Sequence, residues 1–196
     1  TVNEPNVNTL GGYVVGIMPP GHKDIKQAGT VLAMWLKVHA RAYRIIHKYF
    51  PKAQVGFSHH MRAFASASWW NPLDNAAVKF IDKFWNQQLL DAIKTGKIDF
   101  NIPFVFSYTE SWPELKGSMD YLGVNYYSRD FLKVDFNSPQ GFVIVVNEKA
   151  DMTDIGWEIY PQGLYDSLMT AASYGWPIYV TENGLADAGD VKRKRY

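Results

Sequence analysis

The chain contains no cysteine. Disulfide bridges and thiolate metal sites are therefore excluded. It also lacks a dominant charge: 20 Lys and Arg stand against 19 Asp and Glu, leaving a formal net charge of +1 at pH 7. No long-range field then favours nucleic acid or a membrane surface. The one basic run, Lys192 to Arg195, reads as a solvated loop or helix start. No apolar run approaches the roughly 18 residues that a membrane span needs. No signal-peptide pattern is visible. The expectation is a cytoplasmic protein without nucleic-acid or membrane partners. Repeats and low-complexity segments are missing too. So is a phosphate-binding loop: neither G-x-G-x-x-G nor G-x-x-x-x-G-K-[ST] occurs, and "GGYVVG" is the nearest approach.

What is present is an ordinary globular composition, 47% hydrophobic and 20% charged, in 196 residues. That length suits one domain or part of a larger one. Aromatics are abundant at 15%, with 7 Trp, 12 Tyr and 11 Phe. Such side chains pair an apolar face with a polar edge, which suits sugar rings as well as a well-filled core.

The pattern along the chain alternates. Apolar positions at helical spacing run from Thr30 to Tyr49, and Pro51 stops that helix. "AQVGFSHH" reads as a buried strand ending in polar residues. The stretch from Trp69 to Gly96 reads as a helix, with Pro72 near its start and Gly96 at its C-cap. "MDYLGVNYYS" is a second strand, "YPQGLYDSLMTAASYG" a third helix closed by Gly175, and "WPIYVTENG" a third strand. Strands separated by helical crossovers imply a parallel sheet, and polar groups gather where each strand ends. Without a phosphate loop, a (β/α)₈ barrel leads over a doubly wound sheet.

Two glutamates occupy similar settings: Glu4 in "TVNEP" and Glu182 in "YVTENG", each beside asparagine and just past β-branched residues. A single loop glutamate is usually a solvated charge. Two at strand ends fit the carboxyl pair that glycosidic cleavage requires, one to protonate the leaving oxygen and one to attack the anomeric carbon or activate water. Other candidates are weaker. His59 and His60 in "SHH" invite a metal reading, but adjacent strand residues face opposite ways, so a loop-lining or substrate-contacting role is preferred. Trp69 and Trp70 read as packing or as a sugar platform. His39 reads as a packed or surface helix residue, and "PPGHKD" as a turn that shapes the substrate entrance.

The motifs themselves resemble glycoside hydrolase family 1, the β-glucosidase and β-galactosidase family. "TVNEP" resembles its acid/base motif and "YVTENG" its nucleophile motif, with "LGVNYYS" and "GWEIYPQGL" in the family's order between them. The resemblance implies a (β/α)₈ TIM barrel, of which the chain covers the end of strand 4 through strand 7. Residues 1–196 would then be part of a single catalytic domain, incomplete at both ends and with exposed sheet edges. It implies a retaining β-glycosidase acting on a β-glycoside or oligosaccharide by double displacement. Glu4 would be the acid/base and Glu182 the nucleophile. Asn3 would bond the sugar 2-hydroxyl, Asn125 would line the site, Tyr127 would donate to Glu182, and Asn6 would bear on the leaving-group side. No cofactor and no metal are implied, and a homo-oligomer is compatible with the family. The alternatives are a sugar-binding or degenerate non-catalytic fragment, and a transglycosidase on the same scaffold.

Overall fold

A computed structural model of the chain describes residues 1–103, 105–138 and 141–196. The chain enters through Thr1 to Asn3, which runs parallel to the first full strand, with Asn3 bridged to Ser58. Glu4 then opens a short helix α1 (Pro5–Thr9), which runs into a π-helical turn over Leu10–Val15. Helix α2 (Ile25–Tyr49) follows. It begins earlier than the apolar spacing suggests, because Asp24 caps it, accepting from Lys26 N at 2.9 Å and Gln27 N at 3.1 Å. Ala28, Leu32, Leu36 and Ala40 form its buried stripe.

Strand β1 (Gly56–Ser66) leads to α3 (Pro72–Asp82). Asn71 caps α3, and Pro72 occupies its first turn. The single helix read from Trp69 to Gly96 is in fact interrupted: a π-helical segment, Lys83–Gln87, separates α3 from α4 (Gln88–Thr95). Gly96 closes α4 in the left-handed region, at φ 72°. An antiparallel hairpin, β2 (Lys97–Ile102) with β3 (Phe106–Ser111), lies in a stretch to which no element is assigned from the sequence. Strand β4 (Tyr121–Val134) is the central strand, and β5 (Phe142–Val145) turns back antiparallel on its far end. Helix α5 (Gln162–Ala172) crosses to β6 (Ile178–Asn183).

The strands β1, β4 and β6 are parallel, in that order, with Thr1 to Asn3 outside β1. Four consecutive parallel positions joined by helical crossovers form part of a (β/α)₈ barrel, as expected. One face of each strand packs on helices. Phe57, Met61, Leu122 and Val124 join Leu36, Leu90 and Ile93 in one core. By strand alternation the opposite face carries Ser58, His60, Gly123, Asn125 and Tyr127. Strand β6 has β4 as its only partner among the described residues, and Tyr179 and Val180 remain exposed beside it. No helix among the described residues is long and apolar enough to cross a membrane.

Candidate active site

Strand alternation alone would turn Glu182 toward the helices, because Ile178 packs there. A bulge prevents this. Val124 pairs with Val180, but the next residue on β4, Asn125, pairs with Glu182, so Thr181 is the extra residue. Bulges beside active sites re-aim side chains in this way. Both consequences are visible: Thr181 Oγ1 donates to Asn125 Oδ1 at 2.5 Å, and Glu182 Oε2 accepts from the Tyr127 hydroxyl at 2.5 Å. The inner face has room for Thr181 because residue 123 is glycine. A Cβ there would lie 2.9 Å from Thr181 Oγ1 and 3.0 Å from Ser58 Oγ.

Glu4 is positioned by its backbone. It adopts φ 47°, ψ 60°, a left-handed conformation unusual for a non-glycine residue. Such strain costs on the order of 1–3 kcal/mol and persists only where surrounding contacts enforce it. Here Glu4 N donates to Ser58 O at 2.8 Å, while the Asn8 side chain bonds the carbonyls of Asn3 and Glu4 at 2.7 and 3.1 Å. The Glu4 carboxyl accepts from Asn125 Nδ2 at 2.9 Å, and the same nitrogen reaches Asn3 Oδ1 at 3.2 Å. The amide of Asn125 is thereby oriented: only its nitrogen can face a carboxylate, and its oxygen takes the Thr181 hydroxyl. A buried Asn125 thus ties Asn3 and Glu4 on one edge of the sheet to Thr181 on the other.

The electrostatics act on Glu4. Burial raises the Glu4 carboxyl above its usual range; the Asn125 bond opposes this, and the negative charge of Glu182 adds to it. Burial, the bond to Glu182 and the charges of Glu182 and Glu4 push the Tyr127 phenol well up. The phenol therefore keeps its proton and acts as donor to Glu182.

Asn6 departs from the expected leaving-group contact. It is 5% exposed, and its amide donates to the His60 carbonyl at 2.9 Å. The cause is an unpaired edge: once the chain turns into α1 after Glu4, β1 has no strand neighbour there. Asn6 serves the His60 carbonyl, and Asn86 serves both backbone groups of Arg62, at 2.9 and 2.8 Å. His59 and His60 do diverge. His59 Nε2 meets the Asn86 carbonyl at 3.1 Å, whereas His60 faces Trp85 and Tyr127. No group of three potential metal ligands exists among the described residues. His39 is buried on α2 against Phe57. Trp69 and Trp70 are 80% and 70% exposed after β1, edge to face at 5.8 Å, so packing does not account for them.

Several residues of the site escaped the sequence reading. Trp157 stands 5.8 Å from Tyr127 and under the Arg62 guanidinium at 5.3 Å. Arg62 Nε lies 2.7 Å from Asp130 Oδ2, at an angle that makes an ion pair rather than an aligned hydrogen bond. Arg129 holds Glu158 in a two-pronged pair at 2.7 Å on each arm. Trp157 lies inside "GWEIYPQGL", so its motif was visible although its neighbours were not.

Carboxyl groups at the C-terminal ends of parallel strands, over a helix-packed core, are placed where (β/α)₈ barrels carry their sites. The sequence matches Glycosyl hydrolase family 1 over residues 1–196, and the chain belongs to that family. It is 34% identical to a β-galactosidase of Pyrococcus woesei, aligning over 100% of this chain and 44% of the relative. It is 32% identical to a 1,4-β-D-glucan glucohydrolase of Thermotoga neapolitana, over 95% and 45% of the two chains. Among solved structures, a β-glycosidase from Pyrococcus horikoshii superposes with TM-score 0.85 at 34% identity, covering 97% of this chain and 43% of the other. A family 1 glycoside hydrolase of Thermotoga maritima, complexed with a cyclophellitol analogue transition-state mimic, gives 0.82 at 30% identity, covering 96% and 44%. The chain therefore spans less than half the length of the relatives it matches.

Proposed function

We propose that residues 1–196 are part of a single catalytic domain of a retaining β-glycosidase, and carry both of its reacting carboxyls. The observation that supports this best is the pairing of a carboxyl biased toward its protonated form, Glu4, with a carboxylate held by a phenol donor, Glu182. In the first step Glu182 attacks the anomeric carbon while Glu4 gives its proton to the departing glycosidic oxygen. The bond to the leaving group breaks as the bond to Glu182 Oε forms. Esterification removes the negative charge of Glu182, one of the causes that raise Glu4. Glu4 then ionises more readily and takes a proton from the water that releases the sugar. Asn3 accepts through Oδ1 from Asn125, which leaves its NH₂ group as a donor for a sugar hydroxyl. The names of the relatives, β-galactosidase and β-glucosidase, favour β-linked glucosides and galactosides as substrates.

The test is stereochemical. The full-length protein should release the β-anomer first from an aryl β-glucoside, as followed by proton NMR before mutarotation. An α-anomer formed first would overturn double displacement, since one inversion leaves that product and two do not.

A further inference from the structure

Both histidines, which lie mid-strand because β1 runs on to Ser66 rather than ending in "SHH", are buried, and the proposed reaction uses neither. His60 is the one that reaches the site. Its Nδ1 lies 3.2 Å from the indole Nε1 of Trp85. An indole N–H can only donate, so Nδ1 must carry the lone pair and the ring proton must sit on Nε2. Burial first, then the charges of Arg62 and His59, lower its ionisation to about 3, which keeps the ring neutral. The imidazole is stacked on the Tyr127 ring, 6.1 Å between centroids and 25° between planes. Trp85 meets it edge-on at 5.7 Å and 89°. Its backbone is fixed as well: the carbonyl takes the Asn6 amide, and the residue stands in register with Asn125.

We propose that His60 is a positioning residue for the nucleophile. Clamped by Trp85 and by the edge bond from Asn6, its ring forms the wall that sets Tyr127, and Tyr127 in turn aims Glu182. The π-helical segment between α3 and α4 is the device that makes this possible, because it turns both Trp85 and Asn86 onto the unpaired edge of β1. Segments of this kind recur at functional sites. This inference rests on the double-displacement reading, and its test separates the two.

The probe is a 2-deoxy-2-fluoro-β-glucoside with a dinitrophenolate leaving group, applied to the full-length protein. Its leaving group needs little help from an acid, so the labelling rate reports the attack by Glu182. Mass spectrometry gives the labelled fraction. His60→Asn keeps an acceptor near Trp85 but removes the ring. It should slow labelling roughly ten-fold at full stoichiometry, in line with the cost of a small misplacement of reacting groups. A merely structural role would lower the labelled fraction and leave the rate unchanged, which would overturn the proposal. In a Tyr127→Phe background the same substitution should cost less than two-fold, because His60 acts through the phenol. Equal losses in both backgrounds would also overturn it. Trp85→Phe keeps His60 but frees its ring, and should show a milder form of the same loss; a wild-type rate in that variant contradicts the clamp. If His60→Asn does not fold, Trp85→Phe carries the test. A wild-type protein that is not labelled on Glu182 would sink the double-displacement reading, and this inference with it.

Discussion

Glu4 and Glu182 stand at the two edges of the same four-position sheet, yet they are aimed by different means. Glu4 is aimed by its main chain, through a left-handed residue pinned by Ser58 and Asn8. Glu182 is aimed by register, through one extra residue in β6 and a phenol two residues beyond Asn125. Their surroundings differ accordingly. Burial and a neighbouring negative charge favour a proton on Glu4, while a phenol that retains its own proton is directed at Glu182. Two chemically identical side chains thus meet different surroundings, as the proposed roles of acid and nucleophile would require. Asn125 connects the two arrangements, because it donates to Glu4 and accepts from Thr181, the residue that creates the bulge.

The contrast is broken most severely by removing each carboxyl in the full-length protein. Glu182→Gly should lower kcat by roughly 10⁴-fold or more, as loss of a nucleophile does, and azide should restore turnover as the α-glycosyl azide. Glu4→Ala should lose about 10²–10⁴-fold on substrates with poor leaving groups and little on a dinitrophenyl glycoside, with azide giving the β-product. The opposite stereochemistry would exchange the two roles.

A smaller effect is expected at Tyr127. Tyr127→Phe removes a hydrogen bond to a carboxylate, worth about 1.5–3 kcal/mol, so kcat/KM should fall roughly 10- to 100-fold. A loss below two-fold would mean that Glu182 is aimed without the phenol.

The pH dependence sharpens the comparison further. The Asn125 bond lowers the pKa of Glu4 against the larger, opposite effect of burial. Its removal in Asn125→Ala should therefore raise it, and the alkaline limb of kcat/KM should move to higher pH. Glu182→Gln removes a cause that raises Glu4, so carbon-13 NMR of Glu4 should show titration at lower pH than in the wild type. If both variants moved Glu4 in the same direction, the assignment of causes would be wrong.

Thr181→Val should have the smallest effect. It deletes the hydroxyl bond to Asn125 and keeps the shape, for a loss of about 1 kcal/mol, readable as a shift in the urea midpoint at unchanged slope.

Much of the parallel scaffold was legible in the sequence. Three strands and the helices between them follow from periodicity and from Pro and Gly at the boundaries, whereas the caps Asp24 and Asn71 and the extension of β1 to Ser66 came only with the structure. The motifs supplied Glu4, Glu182, Asn125 and Tyr127, and the bond between Tyr127 and Glu182 stands where the resemblance implied. The hairpin of β2 and β3 was not assigned, although β2 alternates strictly, with Ile98 and Phe100 buried between exposed Lys97, Asp99 and Asn101, the period-2 pattern of a half-buried strand. Nor was the interruption of the long helix after β1. A π-helical turn leaves the apolar spacing nearly intact, and only the hydrogen bonds from Asn86 and Trp85 to β1 reveal its use.

The sequence by itself determined the family, through its motifs, and the parallel order of the strands that carry them. Those features depend on residue identity and local periodicity, which a linear chain displays. Tertiary structure alone decided where the side chains point. The bulge at Thr181 arises from pairing with β4, the burial of Asn6 from the edge of β1 that α1 leaves bare, and the setting of His60 from a tryptophan on another element. Each is a contact between segments distant in sequence, formed because a buried polar group must find a partner wherever the folded chain brings one.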